Sequence, residues 1–276
     1  MSNRHFILPD TQVRPGVPTD HMDWIGQAIV EYCPDTIVHL GDHWDMPSLS
    51  AHDTAGSMAT EGARYENDVQ SGNDAFARIC IPMEQEQARL KRNKEKQWNP
   101  RKVFLFGNHE GRINRAINAQ PKFAGALSLD HLDTRDFERH GFLERVWIDG
   151  LLYSHYFQSA HSHHAVGGSI DSMLNKVGAS FIQGHKQGFQ YGTRMQASGA
   201  TWHGLVAGSC YLHLEGYRGA QGQRHWRGVV VLNEVENGEY CIMPLTLKYL
   251  CKKYTGMSLI DYMNKKYKGQ DWRHLE

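Results

Sequence analysis

The sequence predicts an α/β fold around a parallel sheet, and two observations carry that prediction. An apolar strand, an amphipathic helix and a second apolar strand follow one another at the amino end, the order of a βαβ unit. Short apolar runs then recur along the chain, each stopping at Asp, Asn, His or Gln. Functional residues gather in this way at the carboxyl ends of parallel strands.

The elements follow in order. Residues 5–8 read as a strand that stops at Pro9-Asp10. Residues 19–32 read as a helix, with Thr19 or Asp20 as its cap and Trp24, Ile25, Ala28, Ile29 and Tyr32 on one face. Residues 36–40 form a second strand, followed at once by Gly41-Asp42. Residues 58–98 are helical in character, with Tyr65, Val69, Phe76, Ile79 and Met83 at loose helical spacing and Gly72 and Pro82 as breaks. Residues 103–106, 150–153 and 180–183 are further strands, ending at Gly107-Asn108-His109-Glu110-Gly111, at Ser154-His155 and at Gly184-His185-Lys186-Gln187. Residues 228–232 and 240–243 read as an antiparallel pair across a Glu-Asn-Gly-Glu turn, and residues 258–268 as a short final helix.

Composition narrows the function classes. The 276 residues carry 30 basic and 30 acidic side chains, a balance that argues against non-specific gripping of nucleic acid. Two segments are locally basic, residues 84–102 and 248–276. They read as solvated faces or, more sharply, as a rim for phosphate or nucleic acid. No apolar run approaches the ~20 residues that span a bilayer, and the amino end lacks a signal-peptide core. The five cysteines are scattered with no C-x-x-C pair, which indicates neither a disulfide framework nor a thiolate zinc site. A cytoplasmic protein with no membrane partner is expected. Histidine is abundant, at 17. It is the common neutral metal ligand and the near-neutral acid and base, so the surplus points towards a metal or proton-transfer site.

Five strand ends then present Asp10 with Gln12, Asp42 with Asp45, Asn108 with His109, His155, and His185 with Gln187. Carboxylate, amide and imidazole groups converging on one sheet edge can hold one or two divalent cations. Taken in order, Asp10-x-Gln12, Gly41-Asp42-x-x-Asp45, Gly107-Asn108-His109-Glu110, the strand-terminal His155 and Gly184-His185-x-Gln187 resemble the motifs of the calcineurin-like metallophosphoesterase superfamily. That family reads D-x-H, G-D-x-x-D, G-N-H-[D/E], H and G-H-x-H. The resemblance runs from about residue 5 to 243, and the small-residue turn at residues 206–209 also matches it.

The resemblance implies a four-layer α/β/β/α sandwich, a metallo-dependent phosphatase-like fold, as one domain over residues 1–276. A helical insertion is expected at about 50–100 and a short carboxyl-terminal helical extension at about 247–276. It implies a two-metal centre in which Asp42 bridges, Asn108, His155 and His185 complete one site, and Asp10 binds the other with Gln12 and Gln187. The implied chemistry is hydrolysis of a phosphate mono- or diester by a metal-activated water, with His109 as general acid held by Asp45.

Gln12 and Gln187 stand where the family has histidine, both at one metal. An amide oxygen is a weaker and harder ligand than imidazole, so that site should prefer Mn2+ or Mg2+ and exchange readily, with Fe or Zn suiting the histidine-richer site. Met46-Pro47 follows the second motif where Ser/Thr protein phosphatases have Arg-Gly, which favours other phosphoesterases. Substrate contacts are expected from His43 and Arg112; Arg115 reads as a further contact or a surface ion pair, Lys186 as a further candidate, and His161, His163 and His164 as cleft lining or a solvated loop. Trp202, His203, Tyr211 and His213 read as cleft walls. The leading partner is a phosphorylated small molecule or nucleotide. DNA or RNA processing within the same superfamily is the second reading, and a catalytically weak metal- or nucleotide-binding module the third.

Overall fold

Eleven strands form two mixed sheets among the residues described by the computed structural model, which are 3–50, 62–216 and 219–276. The first sheet contains β1 (Asn3–Leu8), β2 (Thr36–His39), β3 (Arg101–Leu105), β4 (Glu138–His140), β10 (Gly228–Glu236) and β11 (Glu239–Thr246). Its order is β11-β10-β1-β2-β3-β4, with β1 to β4 parallel and β10 antiparallel to both of its neighbours. The second contains β5 (Val146–Ile148), β6 (Leu151–Ser154), β7 (Phe181–Gln183), β8 (Phe189–Met195) and β9 (Thr201–Ala207), in the order β5-β6-β7-β9-β8. Here β6, β7 and β9 are parallel and the outer two strands antiparallel. Asn237 and Gly238, both with positive φ, make the hairpin turn between β10 and β11 that the Glu-Asn-Gly-Glu sequence predicts.

Alternation along the parallel strands sends neighbouring side chains into different clusters. Ile7, Val38, Val103 and Val230 of the first sheet share one cluster with Tyr153, Ile182 and Leu205 of the second. Phe6, Ile37, Phe104 and Val231 instead meet α1 (His21–Tyr32), α2 (Tyr65–Arg92), α5 (Leu247–Thr255) and α6 (Leu259–Lys266). On the second sheet Leu152, Phe181 and Val206 pack against Ile170, Met173 and Leu174 of α4 (Ile170–Val177). A sixth helix, α3 (Gly111–Ala119), leaves directly from the end of the third motif.

Several local readings change on folding. Helix α2 runs unbroken through Gly72 and Pro82. Gly72 is the point where Trp44 lies on the helix, since a Cβ there would sit 1.9 Å from the indole. Pro82 packs beside Gly26 of α1, where a Cβ would stand 2.8 Å from the proline ring. The expected helical stretch before residue 65 falls partly on residues 51–61, outside the described set. Asp20 occupies the cap position of α1 but makes no side-chain cap bond. Its carboxylate accepts instead from Arg78 of α2 and from Lys266 and Tyr267, drawing helix and carboxyl end together. Helix α5 precedes the expected final helix, which is α6, capped by Ser258.

About half of the histidines are interior. Eight histidines are buried among the described residues, and His21, His39 and His43 use their rings as internal hydrogen-bonding groups. The His21 Nε2–H donates 2.9 Å to the Cys210 carbonyl, and burial lowers the His21 pKa from its ordinary 6.5 to about 3. Its folded pKa is depressed, so the unfolded chain binds the extra proton first as pH falls. Stability from neutral His21 is therefore full above pH 6.5 and is lost below it, by about 1.4 kcal/mol per pH unit. In urea unfolding, wild type should lose ground against His21→Gln at about that slope as the pH drops from 6.5 towards 4; a pH-independent difference between the two would contradict it.

Candidate metal centre

The carboxyl ends of β1, β2 and β3 in one sheet and of β6 and β7 in the other carry all five predicted motifs to one edge. The loops there are stitched together by the backbone. Gln12 N–H donates to the Asp42 carbonyl at 2.9 Å, Asp45 N–H to the Val13 carbonyl at 2.9 Å, and Gly184 N–H to the His155 carbonyl at 3.0 Å. Gly107 lies so close to the Asp42 turn that a Cβ would stand 2.1 Å from Asp42 Oδ1. Gln12, Asp42 and His185 all adopt left-handed φ, at 41°, 51° and 62°. Non-glycine residues hold that conformation when their surroundings impose it, and they cluster at functional sites.

Glu110 closes the third motif and organises the second. Its fully buried carboxylate accepts from four backbone N–H groups, those of Asp42 (3.0 Å), His43 (2.6 Å), Trp44 (3.0 Å) and Gly107 (2.8 Å). Burial, and then the charge of Asp42, push its carboxyl above the usual range, while the backbone donors oppose them.

Asp42, His155 and His185 offer ligand atoms that all lie within 4.8 Å of one another. Asn108 Oδ1 sits between the two rings, 3.0 Å from His155 Nε2 and 2.8 Å from His185 Nδ1. The His155 Nδ1–H donates 2.7 Å to the Leu40 carbonyl, which orients the ring and turns Nε2 towards Asp42 at 3.3 Å. Metal-binding histidines are commonly set by such a second contact. Asp10 is wholly buried; its Oδ1 accepts from His185 N–H at 3.0 Å, and its Oδ2 has no hydrogen-bond partner among the described residues. An unpartnered buried carboxylate oxygen beside Asp42 is costly unless a cation faces it. These residues fit a divalent cation on chemical grounds.

The electrostatics are strongly perturbed. Burial and then the charge of Asp42 raise the Asp10 pKa to about 7. Burial works against the charge on Asp42, yet His109 and His155 hold its carboxyl well below the usual range. For His109 and His155 burial is outweighed by the negative charge of Asp42, with Asp45 adding to it at His109, and both pKa values rise to about 9. His185 moves the other way, to about 4, through burial and then the charge of His155. The His109 Nδ1–H donates 2.7 Å to Asp45 Oδ1, and Nε2 lies 3.7 Å from Asp42 Oδ2.

A cleft of about 910 Å³ opens over this edge, lined among others by Gln12, Asp42, Asp45, Asn108, His109, Arg112, His185 and Gln187. Asp10 and His155 adjoin it from below. His43 does not reach it. That ring is buried between Thr11 Oγ1 at 2.7 Å and the Gly72 carbonyl at 2.9 Å, so it braces α2 against the loop. Arg115 lines the cleft, whereas His161, His163, His164, Lys186, Trp202 and His203 are not among its lining residues. Tyr211 and His213 stand behind it, Tyr211 donating 2.7 Å to Gln187 Oε1.

Arg14 and Glu215 were not signalled by the motif pattern. Both line the cleft and are joined through Arg14 Nη1, which donates to Glu215 Oε2 at 2.9 Å and to Asp45 Oδ2 at 2.7 Å. Arg14 lies two residues past Gln12, but Glu215 is 201 residues away, and local sequence carries no sign of that pairing. No protein-family model and no curated protein matches this chain.

Glu110→Gln should lower the unfolding free energy by roughly 2–4 kcal/mol in urea titration, because one amide –NH2 would face two buried backbone donors. An unchanged midpoint would show that those donors find other partners.

Proposed function

We propose that this protein is a metal-dependent phosphoesterase that hydrolyses a phosphate mono- or diester of a small molecule or nucleotide. The supporting observation is the convergence of Asp42, His155 and His185 within 4.8 Å, beside Asn108 and the unpartnered oxygen of Asp10, at the ends of five strands. In this reading the three apolar clusters are the interiors of a four-layer α/β/β/α sandwich of the calcineurin-like type.

Asp42, Asn108, His155 and His185 would hold one divalent cation, and Asp10, Asp42, Gln12 and Gln187 a second. Cations bound there supply the positive charge that draws in a phosphoryl oxygen and acidifies the attacking water. The residues of the chain do the rest. His109 faces the cleft with Nδ1 on Asp45, so its Nε2 proton can pass to the departing ester oxygen as the P–O bond breaks. Arg112 spends Nη1 on the carbonyls of Asp45 and Met46, which fixes its guanidinium at the wall with further N–H groups for a phosphate.

The nucleic-acid reading has less support. None of the residues of the two basic segments lines the cleft. Arg89 pairs with Glu86 and Glu95, Lys102 with Asp136, Lys253 with Glu31 and Lys266 with Asp20. One contact favours the binding-module reading: the Tyr211 hydroxyl already uses Gln187 Oε1.

Two measurements test the proposal. Calorimetric titration with Mn2+ should give two unequal sites, the tighter one lost in His155→Ala and the weaker in Asp10→Asn; two equally tight sites would refute the division. His109→Ala should lower turnover of an alkyl phosphate by about 10²–10⁴-fold while leaving Mn2+ affinity unchanged. Absence of Mn2+-dependent hydrolysis of aryl phosphate mono- and diesters by the wild type would leave the binding-module reading in its place.

A further inference from the structure

We infer that Arg14 and Glu215, backed by His213, are positioning residues for the general acid, an assignment that rests on the reading of His109 above. The Asp45 side chain is shared between two partners. Oδ1 takes the His109 Nδ1–H at 2.7 Å, and Oδ2 takes Arg14 Nη1 at 2.7 Å. Its backbone carbonyl accepts from Arg112 at 2.8 Å. That carbonyl also lies 3.1 Å from His109 Nδ1, and the Asp45 N–H is held by the Val13 carbonyl, so the backbone is fixed by Arg112 and Val13 while the rotation of the carboxylate is set by Arg14 on one side and His109 on the other.

Arg14 is itself held. Its Nη1 also donates to Glu215, at 2.9 Å to Oε2 and 3.2 Å to Oε1, and its Nη2 donates to the Leu214 carbonyl at 3.1 Å. Glu215 Oε1 lies 2.6 Å from His213 Nε2, and the His213 ring stacks on Tyr211 at 4.6 Å between centroids. Glu215 is 2% exposed and Asp45 5%, so these are buried charges whose mutual geometry is not averaged by solvent. The chain Glu215–Arg14–Asp45–His109 therefore carries the rigidity of the segment after β9 to the imidazole that faces the cleft.

Two acids around one guanidinium could serve folding alone. The distinction lies in the leaving group. Breaking a P–O bond to a nitrophenolate needs little protonation, whereas an alkoxide must receive a proton as it leaves. A misaimed His109 therefore harms alkyl esters selectively, while a general loss of structure harms both. Glu215→Gln keeps the side-chain shape but removes the charge that holds Arg14, and Arg14→Lys keeps a cation but loses the forked contacts.

The test compares wild type, Glu215→Gln, Arg14→Lys and His109→Ala, each loaded with Mn2+, on 4-nitrophenyl phosphate and on glycerol phosphate. In both positioning variants kcat on glycerol phosphate should fall about tenfold or more, against less than about threefold on the nitrophenyl ester, with His109→Ala showing the same selectivity more strongly. A second readout does not depend on turnover. In protein loaded with diamagnetic Mg2+ instead of Mn2+, the downfield Nδ1–H proton resonance of His109, identified by its loss in His109→Ala, should be sharp in the wild type and broadened in both variants. Equal losses on the two esters, or an unaltered resonance, would overturn the positioning role. A wild type that cleaves neither these monoesters nor the corresponding aryl and alkyl diesters would remove the phosphoesterase reading itself, and the positioning role with it, whereas one that cleaves diesters alone moves the same aryl-against-alkyl comparison to that pair. Selective losses in His109→Ala but not in the other two would leave the phosphoesterase reading standing and remove only this inference.

Discussion

The grip of Glu110 on four backbone N–H groups is the interaction on which the site depends. One buried carboxylate reaches from the end of β3 into the turn after β2 and holds Asp42, His43 and Trp44 by their main chain. It also closes its own turn at Gly107. These are charge-assisted bonds in a dry interior, where leaving any one unmade is expensive. They explain how Asp42 is kept at a left-handed φ that a free chain would avoid, and why Gly107 can have no side chain. With the turn held, Asp42 meets His155, His109 and Asp10 at once. The perturbed charges of the cluster follow from that one placement.

A second layer of organisation works through histidine. Several buried rings that engage a carbonyl or hydroxyl join two segments distant in sequence. His21 ties α1 to the segment after β9, His43 ties the second motif to α2, and His155 ties β6 to the end of β2. Cys210 N–H in turn donates to the Asp10 carbonyl, so His21 and Asp10 brace opposite sides of the same residue. Neutral imidazole suits this work because it can donate at one nitrogen and accept at the other. Burial disfavours the charge on His21 and His43, while His109 and His155, also buried, are surrounded by acid groups that favour the charged form. One residue type thus serves two electrostatic regimes, and the neighbours of each ring decide which.

The parallel strands and their polar ends were legible in sequence because both signals are local. A strand buried on both faces reads as an apolar run, and the next residue interrupts it. Strands β1, β2, β3, β6 and β7 all start or stop within two residues of where the pattern places them. Strands β4, β5, β8 and β9 were not legible. β4 is three polar residues, β5 has an exposed Trp147 at its centre and β8 exposes much of its surface, whereas the equally short β7 is buried throughout; β9 opens on Thr201-Trp202-His203-Gly204 before its apolar end. The motif residues were legible by type and order, but His43 shows the limit. It lies between Asp42 and Asp45 in sequence, yet its ring points into the interior towards α2. Gly72 misled for the converse reason, since a glycine inside a helix looks like a break until the indole that needs the space is known.

By itself, then, the sequence determined the α/β class, the parallel strands and the types of group that arrive at their ends. Those follow from hydrophobic period and from short motifs, which are properties of neighbouring residues. Tertiary structure alone decided which groups meet. It set Asn108 between two imidazoles, gave Asp45 to both His109 and Arg14, brought Glu215 to a partner 201 residues earlier, and placed the basic segments away from the cleft. The physical reason is that hydrogen bonds and charge pairs act over a few ångströms of space without regard to chain distance, so their partners are chosen only once the two sheets have packed.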